Sequence, residues 1–237
     1  MQRIGLIGGM SWESSLHYYR LINQAVHTEL GGHNSADLVM VSLNFAPLEE
    51  KLRSEAWEET GRSLLTAAEE CVAAGAHMVL LCTNTMHVVS DLLESTLSVP
   101  FLHIADATSA AIAQAGVRTV GLLGTRFTME RDFYKKRLQE RWGGEVVIPD
   151  SPARAEIHRI IFDELVHGIV KEESKQSYLS IMDELASRGA EGVVLGCTEI
   201  GMLVSQSDYS LPLFDTTEIH AAAAAGWALS TSSALSS

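Results

Sequence analysis

The chain has 237 residues, 46% of them hydrophobic and 20% charged, with a formal net charge of −13 at pH 7. That acidity excludes nucleic acid as a partner, because phosphate binding needs a basic face; it leaves open an anionic small molecule, which helix N-termini can hold whatever the net charge. No run approaches the roughly 20 apolar residues of a membrane span, no signal-peptide pattern opens the chain, and the three cysteines suit a reduced compartment, so a cytoplasmic protein without a structural disulfide is expected.

The length fits one large domain or two small lobes. Residues 1–9 read as a buried strand closing on Gly8-Gly9, where the backbone can turn tightly. Ser11 is the expected N-cap of a helix over 14–30, stopped by Gly31-Gly32. A strand over 37–43, a polar loop over 44–56 containing Pro47, and a helix over 57–74 stopped by Gly75 follow. Residues 75–87, Gly-Ala-His-Met-Val-Leu-Leu-Cys-Thr-Asn-Thr-Met-His, form a buried strand that ends in Cys82 and turns into a short helix over 86–93. Next come a strand over 100–104, a helix over 105–115, a strand over 118–124, a helix over 129–142 and a short strand over 145–148. Pro152 opens a helix that Gly168 ends, and another spans 172–188. A second cysteine strand runs from Gly189, and the last helix covers 217–229.

Three stretches recur in the same order. Arg-Ile-Gly-Leu-Ile-Gly at 3–8 returns as Thr-Val-Gly-Leu-Leu-Gly at 119–124. The cysteine strand returns as Gly-Ala-Glu-Gly-Val-Val-Leu-Gly-Cys-Thr-Glu-Ile-Gly at 189–201, and Ser-Val-Pro-Phe-Leu-His at 98–103 returns as Ser-Leu-Pro-Leu-Phe-Asp at 210–215. Such echoes indicate an internal duplication. Strands that are apolar on both faces and alternate with helices imply parallel sheets. The expected fold is therefore α/β, two pseudo-symmetric lobes, each a parallel sheet flanked by helices: residues 1–103 with 212–237, and residues 104–211. Ligands of such sheets bind outside the carboxyl ends of the strands, where Cys82 and Cys197 fall, so the active site is expected in the cleft between the lobes.

A thiol beside a helix N-terminus is favoured as thiolate and can serve as a base near neutral pH. Two such groups on opposite faces of one carbon can pass a proton across it, one as thiolate and one as thiol, with coupled titrations. Proton removal beside a carboxylate needs preorganised donors for the developing charge. The backbone N–H groups and hydroxyls of Thr83, Thr85 and Thr198 and the amide of Asn84 can supply them, and Thr125 and Thr128 open a helix after another strand end. A bland alternative stands beside each feature. Cys71 lies on an amphipathic helix and reads as core. His87 follows Cys82 at helical spacing, but no further metal-ligand pairing accompanies it, so no metal is expected. His103, His158, His167 and His220 have no assigned role. Gly5-Leu-Ile-Gly-Gly lacks the full dinucleotide-binding spacing and its acidic partner.

Ile-Gly-Leu-Ile-Gly-Gly-Met at 4–10, Cys-Thr-Asn-Thr at 82–85, Leu-Leu-Gly-Thr at 122–125 and Gly-Cys-Thr-Glu at 196–199 resemble the aspartate/glutamate racemase family over nearly the whole chain. Gly-Gly-Met-Ser-Trp-Glu-Ser at 8–14, Cys-Thr-Asn-Thr-Met-His at 82–87 and Leu-His-Ile-Ala-Asp-Ala-Thr at 102–108 resemble its bacterial aspartate- and glutamate-acting, in part broad-specificity, branch. The resemblance implies cofactor-independent racemisation without pyridoxal phosphate. Cys82 and Cys197 would be catalytic, serving opposite faces of Cα. Met10, Thr83, Asn84, Thr85, Thr125, Thr128, Thr198 and Glu199 match substrate-binding positions. A homodimer is the assembly it implies.

Two stretches depart from the aspartate-specific pattern, in which an arginine and a lysine grip the side-chain carboxylate. The loop after the second strand carries Lys51 and Arg53 only late, and Val166 stands near the lysine's place. Glutamate or aspartate is the expected substrate, with a broad or uncharged range open. A cis-diacid isomerase or hydantoin racemase would use the same fold, and a non-catalytic amino-acid-binding protein would use the same cleft.

Overall fold

A computed structural model describes residues 1–230 of the chain. In chain order the first elements are β1 (Ile4–Gly8), α1 (Trp12–Leu30), β2 (Leu38–Ser42), α2 (Phe45–Arg53), α3 (Trp57–Ala73), β3 (Met78–Leu81), α4 (Ser90–Thr96) and α5 (Ile104–Ala115). The rest are β4 (Thr119–Gly124), α6 (Arg126–Glu130), α7 (Asp132–Trp142), β5 (Glu145–Val147), α8 (Ser151–Asp163), α9 (Glu172–Ser187), β6 (Gly192–Gly196), β7 (Leu213–Asp215) and α10 (Thr216–Ser230). The chain divides into two compact units, Met1–Ile104 with the chain from His220 onward, and Ala105–Ile219. No helix among the described residues is long and apolar enough to cross a membrane.

The first unit holds a parallel sheet in the order β2-β1-β3. Ile4, Leu6, Met78 and Leu80 alternate onto one face and pack against Tyr18, Ile22 and Val26 of α1 and Ala221, Ala224, Ala225 and Ala228 of α10. The run of alanines lets α10 lie close to the strands. On the other face α3 comes so near that a Cβ on Gly5 would stand 2.8 Å from Cys71 Cβ. Cys71 is fully buried, as its place on an amphipathic helix implies. Burial pushes its thiol up to about 11.

The second unit holds a parallel sheet in the order β5-β4-β6-β7. Gly124 of β4 and Gly196 of β6 are in register. A Cβ on Gly124 would lie 2.7 Å from the Gly196 carbonyl oxygen, and one on Gly196 would lie 2.8 Å from the Leu123 carbonyl oxygen. Glycine at both strand ends lets the two backbones leave the sheet side by side.

Both sheets change direction at one place. From β1 the chain steps out to β2 and returns to the other side of β1 as β3; from β4 it steps out to β5 and returns as β6. The gaps β1/β3 and β4/β6 are therefore topological switch points, where open parallel sheets bind ligands. Cys82 leaves the sheet at the first gap and Cys197 at the second.

The structure corrects several expectations. Residues 45–53 form a helix, not a loop: Pro47 falls in its first turn, where no N–H is missed, and Leu48 and Leu52 are buried. The helix expected over 129–142 is two, broken at Arg131, whose ψ is 151°. Residues 100–104 contribute a single bridge, Val79 to Phe101, before α5 begins. The second crossover falls after Ile219 and not at 211/212, because β7 pairs with β6 and so belongs to the second sheet.

Gly9 has φ of +90°, and a Cβ there would run into the Leu43 backbone. Gly9→Ala meets both a strained dihedral and a backbone collision, so we expect a loss of at least about 2 kcal/mol in urea-unfolding stability.

Candidate active site

In the first unit the Cys82 N–H donates to the Ile7 carbonyl at 2.9 Å, which extends the β1–β3 ladder by one bond. Its own carbonyl accepts from Ser14 Oγ at 2.9 Å. Ser14 stands in the first turn of α1, where its N–H is capped by Ser11 Oγ at 3.2 Å. Gly9 N–H donates to Ser15 Oγ at 2.7 Å, and that hydroxyl donates to the Ser11 carbonyl at 2.9 Å. Ser14, which closes the 8–14 motif, and Ser15, which no motif includes, thus tie the β1 turn, the α1 cap and the cysteine together. Met10, Thr83, Asn84 and Thr85 are all buried around this strand end.

His87 explains how the segment after Cys82 is held. Its Nδ1–H donates to the Thr83 carbonyl at 2.8 Å, and its Nε2 accepts the Ile104 N–H at 3.3 Å. An imidazole that accepts at one nitrogen and donates from the other is neutral. His87 is thus a brace for the 83–87 turn. Among the described residues no group of three or more His, Cys, Asp or Glu is placed to hold a metal ion.

Behind it lie two more buried histidines. The His103 ring is 4.4 Å from that of His87. His220 accepts from Tyr18 Oη at Nδ1 (2.9 Å) and donates from Nε2 to the Leu102 carbonyl (2.9 Å), which pins α10 to α1. Burial lowers the His220 pKa to about 4. Between that value and about 6.5 the unfolded chain binds the proton and the folded chain does not, so this contribution to stability is full above pH 6.5 and falls as pH drops towards 4. Gln at this position can keep both hydrogen bonds. Urea unfolding of His220→Gln should therefore show its deficit against the parent protein at pH 7 shrinking at pH 5, by about 1–2 kcal/mol.

In the second unit Cys197 follows β6, and its thiol donates to Glu199 Oε2 at 3.0 Å. Thr198 Oγ1 donates to the same oxygen at 2.7 Å. One buried carboxylate thus holds the side chains of both preceding residues. On the neighbouring strand end Thr125 caps α6: its Oγ1 accepts from Thr128 N–H at 3.3 Å and lies 3.2 Å from Thr128 Oγ1. The Gly124–Gly196 register sets Thr125 and Cys197 level. Asp215, at the end of β7, is a further, half-buried acid; desolvation lifts it to about 6, and its Oδ1 caps α10 through the Thr217 and Glu218 N–H groups. Gly201 leaves the room that its Oδ2 occupies. The echo that aligns it with His103 was its only signal in the sequence.

The protonation of the cysteines differs from the expectation. Burial drives the Cys82 pKa well up, with the nearby Cys71 adding to it. Burial and then the Glu199 charge do the same to Cys197. Each cysteine is followed by a short 3-10 turn, Thr85–Val89 or Ile200–Met202, and not by a helix directly. One such turn offers too little dipole to offset full desolvation. Burial thus favours the thiol form of both.

Neither Arg53 nor Lys51 takes the place of the carboxylate-gripping pair. Arg53 is spent on Glu49 at 2.6 Å, on the surface of α2 with 77% of its side chain exposed. Lys51 Nζ donates to Ser63 Oγ at 2.9 Å. Val166 lies in a 3-10 turn after α8, next to Glu164, whose buried carboxylate accepts from Ser174, Arg159 and Lys171. His158 accepts from the Arg126 N–H, and His167 is exposed.

The family profile described as Asp/Glu/hydantoin racemase matches residues 7–224. A candidate Asp/Glu racemase from Yersinia pestis is 47% identical in sequence and superposes with a TM-score of 0.90 over 97% of this chain and 100% of its own. An aspartate racemase homologue from Pyrococcus horikoshii is 37% identical, with a TM-score of 0.85 over 96% and 99%. The broad-specificity amino-acid racemase RacX of Bacillus subtilis is 23% identical over 218 residues, 90% of this chain and 92% of its own. A duplicated parallel α/β architecture, a Cys-Thr strand end at the switch point of each sheet and a profile match spanning most of the sequence agree: the chain belongs to the Asp/Glu/hydantoin racemase family.

Proposed function

We propose that this protein is an amino-acid racemase that inverts Cα by proton transfer between two cysteines, without pyridoxal phosphate. The observation that carries the reading is the placement of Cys82 and Cys197 at equivalent switch points of two separate parallel sheets. Simple carboxylate binding has no need of two matched thiols.

In this mechanism one cysteine, as thiolate, takes the α-proton and the other, as thiol, delivers a proton to the opposite face. The product departs with the bases exchanged in role, and the roles reverse for the other enantiomer. Cys197 has a built-in route to the thiolate: its proton can pass to Glu199 along the 3.0 Å bond. Thr198 donates to the same carboxylate oxygen and holds it in place for that transfer. The hydroxyls and N–H groups of Thr83, Thr85, Thr125 and Thr128 with the Asn84 amide are the donors for the substrate carboxylate, whose charge grows as the α-proton leaves. Arg53's engagement with Glu49 supports a range that includes glutamate and aspartate and extends beyond them.

The test is incubation of purified protein with single L-amino acids, glutamate and aspartate first, in deuterated buffer without added cofactor. Proton NMR follows the Cα signal and chiral chromatography the D-form. Loss of the signal together with D-product supports the reading and ranks the substrates. Silence across acidic and neutral amino acids, hydantoins and cis-diacids would leave an amino-acid-binding protein.

A further inference from the structure

We propose that Arg126 selects acidic substrates: its guanidinium binds the side-chain carboxylate of glutamate or aspartate. This role rests on the racemase reading and extends it to the far end of the substrate. Glutamate and aspartate carry two carboxylates, whereas the hydroxyls, N–H groups and amide that receive the first are all neutral. The second carboxylate also arrives near the charge of Glu199, a buried acid two residues beyond Cys197, and like charges repel strongly where water is excluded. Preferring an acid to its uncharged amide therefore takes a cation at the same strand ends.

Within three residues of the ends of β4, β5, β6 and β7 the one lysine or arginine is Arg126, whereas Asp150, Glu199 and Glu218 stand in the same stretches. Neighbouring strands lie about 4.8 Å apart, and Gly124 of β4 is level with Gly196 of β6. Arg126 thus opens α6 one residue past the level of Cys197, on the adjoining strand end. Its backbone is held on both sides: Thr125 caps α6, and the Arg126 N–H donates to His158 Nδ1 at 3.3 Å. Burial and then the Arg126 charge lower the His158 pKa, which keeps the ring the neutral acceptor that this bond requires. The Arg126 side chain is exposed and forms no ion pair among the described residues. Nearby, Arg154 is spent on Glu130, and Arg159 on Glu156 and Glu164. Arg126 Cζ lies 5.7 Å from the centroid of the Phe127 ring, and Arg131 Cζ lies 5.8 Å from the same centroid. An aromatic ring steadies a guanidinium without neutralising it, so the charge and its planar fork stay available to a carboxylate.

The test sets each acid against its own amide, L-glutamate against L-glutamine and L-aspartate against L-asparagine. The readout is kcat/KM for racemisation by the parent chain, Arg126→Met and Arg126→Lys, with circular dichroism to check folding. The parent should favour at least one acid over its amide about 10-fold or more. Arg126→Met should lower that acid-to-amide ratio about 10- to 100-fold. Arg126→Lys, which keeps the charge and loses the fork, should recover part of it. A parent that prefers neither acid would overturn the proposal, as would an Arg126→Met variant that slows acid and amide alike. If the parent racemises none of the four, the racemase reading fails separately. Equilibrium dialysis of the same four amino acids then reads the ratio as Kd: a ratio lost in Arg126→Met supports the role of Arg126, and an unchanged ratio or no binding of either acid overturns it.

Discussion

Replacing Cys82 or Cys197 by alanine should lower racemisation by at least about 10³-fold, and the double variant should be no worse than either single one. A positioned acid or base contributes about 10²–10⁴-fold, and here one group must take the proton before the other can give one. Residues that act as a unit are not additive. The remaining cysteine can still remove and return a proton on its own face. Each single variant should therefore exchange the α-proton of one enantiomer with solvent without inverting it, and the two variants should choose opposite enantiomers. The measurement is Cα exchange by NMR on separate L- and D-samples. Equal residual exchange of both enantiomers by both variants would contradict assigning one face to each cysteine.

The second large effect concerns Glu199. Its carboxylate is the acceptor of the Cys197 thiol and the second cause of that thiol's raised pKa. Glu199→Gln keeps the shape and a hydrogen-bonding carbonyl but cannot take the proton. We expect kcat/KM to fall about 10²-fold. Because a racemase has an equilibrium constant of one, kcat/KM must fall equally in both directions. The asymmetry appears instead in exchange: the enantiomer deprotonated by Cys197 should lose solvent exchange, and the one deprotonated by Cys82 should keep it. The amide also removes a negative charge from beside the thiol, so direct titration of Cys197 should move towards the ordinary thiol range. An unchanged exchange pattern for both enantiomers would make Glu199 only a structural support.

Much of this fold was legible because the chain states it twice. The Gly-Ala, apolar-run, Cys-Thr phrase marks β3 and β6, and glycines stop α3 and α9 where the pattern says. What escaped was set by tertiary contacts. Nothing local separates a polar loop from α2, whose two buried leucines count only once α3 lies beside them. Arg131 breaks a helix without glycine or proline. A strand as short as β7 carries too little pattern to say which sheet it joins. Spacing placed the two cysteines at strand ends, as the structure does, but did not show their protonation, because that depends on burial and, for Cys197, on an acid two residues further on. Ser14 and His87 stand inside recognisable motifs, but their roles were equally hidden: each acts through a backbone carbonyl, which spacing does not show.

Two-base transfer has one direct signature. With an L-amino acid that the protein turns over, in deuterated buffer and at low conversion, the D-product and the remaining L-substrate are separated and their α-deuterium measured. Two cysteines of separate duty should give D-product that is fully deuterated from the first turnover, beside L-substrate that still carries protium. D-product that keeps the original α-proton would mean that a single group carries it from face to face, and would contradict the division of labour between Cys82 and Cys197.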